Sequence, residues 1–293
     1  MPRARRNKSF TRKEWEIVLR RNDFDNVSQH RLKESLMDGI PDELRGEIWV
    51  FITKANQLSF QFSKNVYTRL IQSINPYIET QIIKDLHRTY PESELFREKG
   101  GEGQRALSNV LCAYSNYDSE VGYCQGMGFI VGCLFTHIKN EELTFWAFVQ
   151  VMFEMNWRLM FKNGTPKLLT MINKLTKQVK LRHPDLWEHL AKHDLSFLSC
   201  FTQYLITVFL YDIPKDISVR VFDLFLLEGE RVLYDLLLKM LYVKKARIME
   251  LEGQELYLYL RSRMVKEVFE ESHLRTLMSF SDTEEFEMIN LSN

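Results

Sequence analysis

The sequence predicts an all-α fold of two lobes, and three observations lead to that prediction. Apolar side chains recur at three- and four-residue spacings along almost every segment that can be interpreted, while a convincing succession of alternating strand patterns is lacking. Prolines and glycines separate several of these segments, as they do where helices end. With 293 residues and 45% apolar side chains, the chain can bury a sizeable core.

The clearest helix is predicted to begin near Pro41. Proline is favoured in the first turn of a helix, and the acids Asp42 and Glu43 follow at positions where the helix dipole stabilises negative charge. Arg45 is a polar side chain set among core-facing neighbours in this helix. Its apolar face comprises Leu44, Ile48, Phe51, Ile52 and Ala55.

Two helices are predicted on either side of Pro76. The second must end before Pro91, because a proline disfavours the helical conformation of the residue before it and makes the chain extend at Tyr90. Arg88 is therefore expected at the end of a helix and not within it. The apolar positions of the two helices are Tyr67, Leu70, Ile71 and Ile74, followed by Ile78, Ile82, Ile83 and Leu86.

The rest of the chain continues the helical pattern. A flexible segment at 100–103 introduces a helix, and a loop at 118–122 then delivers Gln125. The apolar positions of that helix are Leu107, Val110, Leu111 and Tyr114. Further helical blocks are predicted near 141–161, 166–181, 184–193, 195–211, 214–228, 232–249 and 252–275.

Three parts are predicted: a basic segment with a leading helix at 1–36, a main domain at 37–275, and an acidic tail at 276–293. Solvated tails are the simplest interpretation of such charged ends, and contact of the basic end with an anionic membrane face is the alternative. The charged residues that define the ends are Arg3, Arg5, Arg6, Lys8, Arg12 and Lys13, and Asp282, Glu284, Glu285 and Glu287.

Several functional classes are disfavoured. The 39 basic and 39 acidic side chains balance, so the chain as a whole has no net field that would attract nucleic acid. The glycines at 100–103 are not followed by the Gly-Lys-Ser/Thr of a phosphate-binding loop, and His189 and His193 lack a third metal ligand. Uncharged stretches at 121–138 and 195–211 contain enough polar side chains to favour buried helices over membrane spans.

The cysteines carry no recognisable site. Their positions lack the paired short spacing of zinc and redox motifs, and no secretory signal precedes them, so we expect reduced core thiols in a cytosolic protein. They are Cys112, Cys124, Cys133 and Cys200.

Three short segments, in order, combine polar residues with special backbone positions. The first is the helix start that carries Arg45. The second places Asp85 and Arg88 three residues apart, where a carboxylate can hold a guanidinium. The third sets Gln125 beside Gly126, where another molecule's backbone could approach closely. From the residues alone each has an ordinary interpretation: Arg45 as a structural side chain, Arg88 as a complement to the helix dipole, and Gln125 as a turn residue.

The same segments resemble the signature motifs of TBC domains, the catalytic modules of Rab GTPase-activating proteins. The resemblance covers at least 38–237, with 43 residues from Arg45 to Arg88 and 37 from Arg88 to Gln125. One departure is Tyr204, where the family often has tryptophan. The matching elements are Ile40-Pro41-Asp42 with Arg45-Gly46 and Trp49, Asp85-x-x-Arg88-Thr89-Tyr90-Pro91, and Tyr123-Cys124-Gln125-Gly126-Met127, with Phe145-Trp146, Val221-Phe222-Asp223 and Leu227-Glu228-Gly229 as later landmarks.

The resemblance implies a two-lobed helical TBC domain at 37–275 that activates a GTP-bound Rab-family GTPase and regulates membrane trafficking. Arg88 would be the arginine finger and Gln125 the glutamine finger, both inserted in trans, with Asp85, Arg45 and Tyr123 in support. The chain would be an activator and not itself an enzyme. It would have no cofactor of its own, since GTP and Mg²⁺ belong to the partner, and no metal site.

Two other functions stay open at this point. One is a catalytically silent effector or scaffold that binds active Rab proteins, and the other is a helical adaptor in which the motifs serve only packing. The expected location is the cytoplasm, with peripheral contact to endomembranes as an open alternative.

Overall fold

The computed structural model describes residues 9–73, 75–86 and 88–279, and these residues form helices and connecting loops without a β-strand. The predicted all-α fold class is therefore confirmed. The basic residues at positions 3–8 and the acidic residues of the predicted C-terminal tail lie outside the described residues, as does Ile74.

The N-terminal helices begin and end at recognisable signals. Thr11 forms a capping box with Glu14 at the start of the first helix, and Ser28 caps the second. The predicted helix after Pro41 is confirmed as the third. The bounds are α1 Arg12–Arg21, α2 Gln29–Asp38, α3 Asp42–Thr53, α4 Ala55–Ser59, α5 Val66–Gln72, α6 Pro76–Leu86 and α7 Glu94–Arg97.

A buried helix forms the centre of the next group. Helix α9 is apolar almost all round and packs against α3, α8 and α10, as expected for a helix inside the core. The bounds are α8 Glu102–Tyr117, α9 Met127–Ile138, α10 Glu141–Phe153 and a 3₁₀ helix Trp157–Met160. Because α8 begins at Glu102, the predicted flexible segment is partly helical, and Gly103 lies where a Cβ would meet the Leu95 carbonyl oxygen at 2.2 Å.

The C-terminal helices complete one continuous apolar core with the others, and α14 packs against both α2 and α3. Their bounds are α11 Pro166–Arg182, α12 Pro184–Lys192, α13 Phe197–Ile206, α14 Lys215–Glu228, α15 Glu230–Val243, α16 Lys245–Glu250, α17 Gly253–Leu258, a π-helical turn Tyr259–Arg263, α18 Met264–Glu271 and α19 Leu274–Ser279. Helix α19 extends across position 276, where the acidic tail was predicted to begin.

Four predicted blocks are interrupted, and the first, at 141–161, is divided between α10 and the 3₁₀ helix by residues 154–156. The block at 195–211 stops being helical at Ile206, because Val208 and Phe209 adopt left-handed backbone angles that let both side chains enter the core. The block at 232–249 is divided at Lys244, and the block at 252–275 is divided by the π-helical turn and at Ser272. Of the described helices, none combines the length and apolar character of a membrane span.

Candidate functional site

Arg88 lies just beyond the end of α6, as the sequence predicted. Its backbone N–H donates to the carbonyl of Asp85 at 3.1 Å, and the next N–H, of Thr89, donates to Leu86 at 3.2 Å, so the chain leaves the helix in a tight turn. The guanidinium forms an ion pair with the Asp85 carboxylate, yet 53% of the Arg88 side chain is exposed. Arg88 is thus held through one guanidinium nitrogen, while about half of its side chain stays open to a partner.

The Asp85 carboxylate joins residues 85–91, which we call the arginine segment, to the segment that carries Gln125. Its Oδ1 pairs with Arg88, and its Oδ2 accepts a 2.6 Å hydrogen bond from the Tyr123 hydroxyl. Burial, and then this hydrogen bond, raise the pKa of Tyr123 well above its ordinary value, so the phenol stays protonated and can donate. One carboxylate therefore fixes both an arginine and the residue two positions before the glutamine.

Gln125 lies in a loop between α8 and α9, residues 118–126, which we call the glutamine loop. The side chain is exposed, and within the described residues its carboxamide makes no hydrogen bond. Gly126 follows with a φ of 103°, and a Cβ there would lie 2.7 Å from Cγ2 of Ile206. Glycine is needed at this position for both its backbone angle and its close approach to α13.

The arginine segment also packs directly on the first turns of α9, which follow the glutamine loop. A Cβ on Gly128 would be 3.2 Å from the Thr89 hydroxyl, and the Tyr90 hydroxyl donates to the Phe129 carbonyl at 2.8 Å. Tyr90 has a φ of 53°, so the extended conformation predicted for the residue before Pro91 is wrong. Its anchored ring and hydroxyl outweigh the local preference of a residue that precedes proline.

Arg45 is placed elsewhere, with different partners. Its side chain is 6% exposed and donates to the fully buried carboxylate of Asp223 on α14, while a second ion pair joins it to Asp42. Trp49 donates to the same Asp223 carboxylate at 2.7 Å. Arg45 packs near His137, eleven residues along α9 from Gly126, which is about 16 Å at the rise of an α-helix. Among the described residues its bonds are to Asp223, Asp42 and the Ile40 carbonyl, and none is to Arg88 or the glutamine loop.

A group of charged residues around the glutamine loop was not singled out from the sequence. Asp118, at the start of the loop, is bound by Arg158 from the 3₁₀ helix and by Tyr114 from α8. The Tyr114 contact has a sequence signal, because the two residues are four apart at the end of a helix. The Arg158 contact spans 40 residues and has no local signal.

The described residues contain no group of three or more histidine, cysteine or acidic side chains placed to hold a metal ion. His189 and His193 have ring centroids 4.9 Å apart, and His189 is engaged by the Leu251 carbonyl oxygen at 2.8 Å. All four cysteines are free thiols, three of them buried and Cys124 half-buried. The polar groups that remain exposed at the candidate site are a fork of guanidinium donors and an amide that can donate and accept.

Comparisons with known proteins agree on one family. The model of the Rab-GTPase-TBC domain matches residues 42–249. The human ecotropic viral integration site 5 protein homolog is 32% identical over 239 residues, 82% of this chain and 28% of that protein. Rab GTPase-activating protein tbc-11 of Caenorhabditis elegans is 29% identical over 265 residues, 90% of this chain and 28% of that protein. The chain thus spans under a third of the length of these relatives.

Two solved structures share the fold. The Chlamydomonas flagellar RabGAP TBC domain superimposes with a TM-score of 0.75 at 22% identity, covering 90% of this chain and 87% of that one. The Ypt/Rab-GAP domain of Gyp1p gives a TM-score of 0.71 at 18% identity, covering 90% of this chain and 96% of that one. At these identities the likeness extends to the fold alone.

Proposed function

The chain belongs to the Rab-GTPase-TBC domain family, and we propose that it accelerates GTP hydrolysis by a Rab-type GTPase, supplying Arg88 and Gln125 in trans. One observation carries this proposal. The Asp85 carboxylate holds the exposed arginine with one oxygen and the glutamine loop with the other. A partner that reaches one of these side chains therefore meets the segment that carries the other.

The arginine supplies charge where the reaction needs it. As the γ-phosphoryl group departs, negative charge grows on its oxygens and on the β–γ bridging oxygen, and a guanidinium held there stabilises the transition state more than the ground state. Asp85 orients the Arg88 guanidinium, and the 53% exposure of the side chain leaves it free to enter a neighbouring active site. Trans-supplied arginines contribute roughly 10³–10⁵ in rate, or about 4–7 kcal/mol of barrier.

The glutamine positions the attacking water. An amide can accept a hydrogen bond from the attacking water and donate to a second group, which orients the water for in-line attack. The exposed Gln125 carboxamide, without a hydrogen bond among the described residues, has this capacity available. GTP and Mg²⁺ are carried by the partner in this scheme, so the chain needs no cofactor. The proposal locates the activity in the cytoplasm, at endomembranes whose traffic the partner controls.

A screen of GTP-loaded Rab proteins for phosphate release tests the proposal. Catalytic amounts of the wild-type chain are expected to stimulate at least one Rab, and Arg88→Ala to remove the stimulation by about 10³-fold or more with an unchanged circular dichroism spectrum. Arg69→Ala is the matched control, because Arg69 is an exposed arginine on α5. Stimulation by Arg88→Ala at the wild-type rate would remove Arg88 from its role.

Gln125→Ala separates activation from mere binding. The variant is expected to lower the stimulated rate while its affinity for the GTP-loaded partner, measured by titration calorimetry, stays near the wild-type value. A silent effector predicts the reverse, namely tight binding of the wild-type chain with no release of phosphate beyond the intrinsic rate. Loss of affinity with an unchanged rate per complex would contradict the role assigned to Gln125.

A further inference from the structure

The glutamine loop is bound at its first residue, Asp118, by an arginine. Arg158, in the 3₁₀ helix, donates from Nε to Oδ2 of Asp118 at 3.0 Å and from Nη2 to Oδ1 at 2.8 Å. Asp118 is 6% exposed, and Arg158 is 17% exposed at its side chain. A two-pronged pair of this kind fixes direction as well as distance, because the guanidinium fork matches both carboxylate oxygens.

Asp118 in turn shapes the loop that follows it. Its carbonyl oxygen accepts from the N–H groups of Val121 at 3.2 Å and Gly122 at 2.8 Å, which forms the turn that leads to Tyr123. The hydroxyl of Tyr114 donates to the Asp118 carboxylate at 2.8 Å. Burial raises the pKa of the Asp118 carboxyl, but hydrogen bonds from Arg158 and Tyr114 outweigh burial and keep the pKa below its ordinary value.

The segment that carries Arg158 contacts the loop again beside the glutamine. The thiol of Cys124 lies 3.5 Å from the carbonyl oxygen of Phe161, and a Cβ on Gly126 would be 3.8 Å from the Phe161 ring. Gln125 therefore lies between two residues that contact the end of this segment. Arg158 also pairs with Glu120 at 2.8 Å, so the segment is attached to the loop at its start, its middle and its end.

We propose that Arg158 is a positioning residue for Gln125: its two-pronged pair with Asp118 fixes the glutamine loop so that the carboxamide meets the partner's nucleophilic water. The inference rests on the proposed function, and it assigns to the 3₁₀ helix a role in the rate of hydrolysis. Arg158 touches neither partner nor nucleotide in this scheme and acts only through the loop. Its role is thus distinct from that of Arg88, which enters the partner's site.

The physical basis is the cost of leaving a buried carboxylate half-paired. A lysine at 158 retains the charge but offers a point donor in place of a fork, so it cannot hold both Asp118 oxygens in one geometry. The part of the glutamine loop that carries Gln125 then becomes more mobile. Displacement of a reacting group by about 1 Å costs on the order of 10²-fold in rate. We expect Arg158→Lys to lower kcat of the stimulated reaction by about 10- to 100-fold, with KM for the GTPase changed less than about threefold.

A double-mutant cycle with Gln125→Ala tests whether Arg158 acts through the glutamine. Phosphate release is measured for the wild-type chain, both single variants and the double variant. Arg158→Lys is expected to lose its effect in the Gln125→Ala background, to within about twofold. An equal loss in both backgrounds, or no loss in either, overturns the inference. Arg231→Lys is the control, because Arg231 forms an exposed ion pair with Asp235 on α15.

Hydrogen exchange at the loop keeps this inference separate from the proposed function. Arg158→Lys is expected to speed amide exchange of Val121 and Gly122 by about tenfold or more, while amides of α9 stay protected. Unchanged exchange at both amides overturns the inference even if the rate falls. Absence of stimulation by the wild-type chain would instead count against the proposed function. If Arg158→Lys does not fold, Tyr114→Phe takes its place, because it removes a neutral hydrogen bond from the same Asp118 carboxylate. It is expected to give a smaller loss of stimulated rate and a smaller increase in amide exchange.

Discussion

Arg88 and Arg45 each pair with an aspartate, but in opposite surroundings. The Arg88–Asp85 pair joins residues three apart at the end of α6, and the arginine side chain is 53% exposed. The Arg45–Asp223 pair joins α3 to α14 across 178 residues, and its side chains are 6% and 0% exposed. Both arginines lie in segments that resemble family motifs and within the matched residues 42–249, so sequence position alone does not separate their roles.

The difference indicates what each arginine can do. A buried pair must satisfy both charges internally, because an unpaired charge in the core costs several kcal/mol, and Arg45 accordingly bonds within the fold. In the other pair the Asp85 side chain is only 13% exposed, but the half-exposed Arg88 guanidinium keeps much of its hydration and is free to exchange contacts with a partner. Exposure, more than pairing, distinguishes the arginine proposed for catalysis from the arginine that holds helices together.

The largest effect expected from this comparison is on stability at Arg45. Arg45→Met leaves the buried Asp223 carboxylate with the Trp49 indole as its one hydrogen-bond donor among the described residues, which is expected to lower the free energy of unfolding by about 3–5 kcal/mol. Arg88→Met is the matched exposed change and is expected to alter it by less than about 0.5 kcal/mol. Urea denaturation followed by circular dichroism measures both. Equal destabilisation by the two variants would remove the distinction.

Local chemistry explains what the sequence predicted. Helix α3 begins after a proline and has two acids in its first turn. Helix α6 ends at Leu86, five residues before Pro91. The Asp85–Arg88 pair could be predicted because three residues along a helix bring side chains together. In each case the decisive partners are neighbours in the chain.

The features that the sequence did not predict depend on packing between distant segments. No local pattern indicates that Tyr123 donates to Asp85, that Arg158 binds Asp118, or that Val208 takes a left-handed backbone angle. Tyr90 is the clearest failure, since its tertiary contacts overrode the preference set by Pro91. The sequence thus singled out the segments that carry Arg88 and Gln125, but it grouped Arg45 with them although Arg45 binds Asp223 elsewhere, and the bonds between segments are set by the fold.

The buried pair is also expected to make stability depend on pH. Burial raises the pKa of Asp223 to about 6 from the ordinary 3.8, although Arg45 and Trp49 act in the opposite direction. The folded state therefore holds this proton more tightly than the unfolded state. Its contribution to stability is complete below pH 3.8 and is lost as the pH rises through about 6, by on the order of 3 kcal/mol.

The measurement compares unfolding free energies of the wild-type chain and Asp223→Asn from pH 4 to pH 7. The advantage of the wild type over the variant is expected to shrink across this interval, since the asparagine does not titrate. A difference that stays constant, or that grows with pH, would mean that the buried aspartate is not the group responsible. Asp85→Asn, at the aspartate that pairs with Arg88, is measured over the same pH interval as the matched substitution.

The smallest effect is expected at the hydrogen bond that joins the two parts of the candidate site. Tyr123→Phe removes the 2.6 Å bond to Asp85 and is expected to lower the stimulated rate about tenfold, or about 1.4 kcal/mol, because the carboxylate keeps Arg88 but no longer holds the glutamine loop. Tyr67→Phe is the control, since it removes a similar 2.7 Å bond to Glu141 away from the site. Phosphate release at matched concentrations measures both, and an equal fall in the two variants would indicate a loss of stability that has nothing to do with the alignment of Arg88 and Gln125.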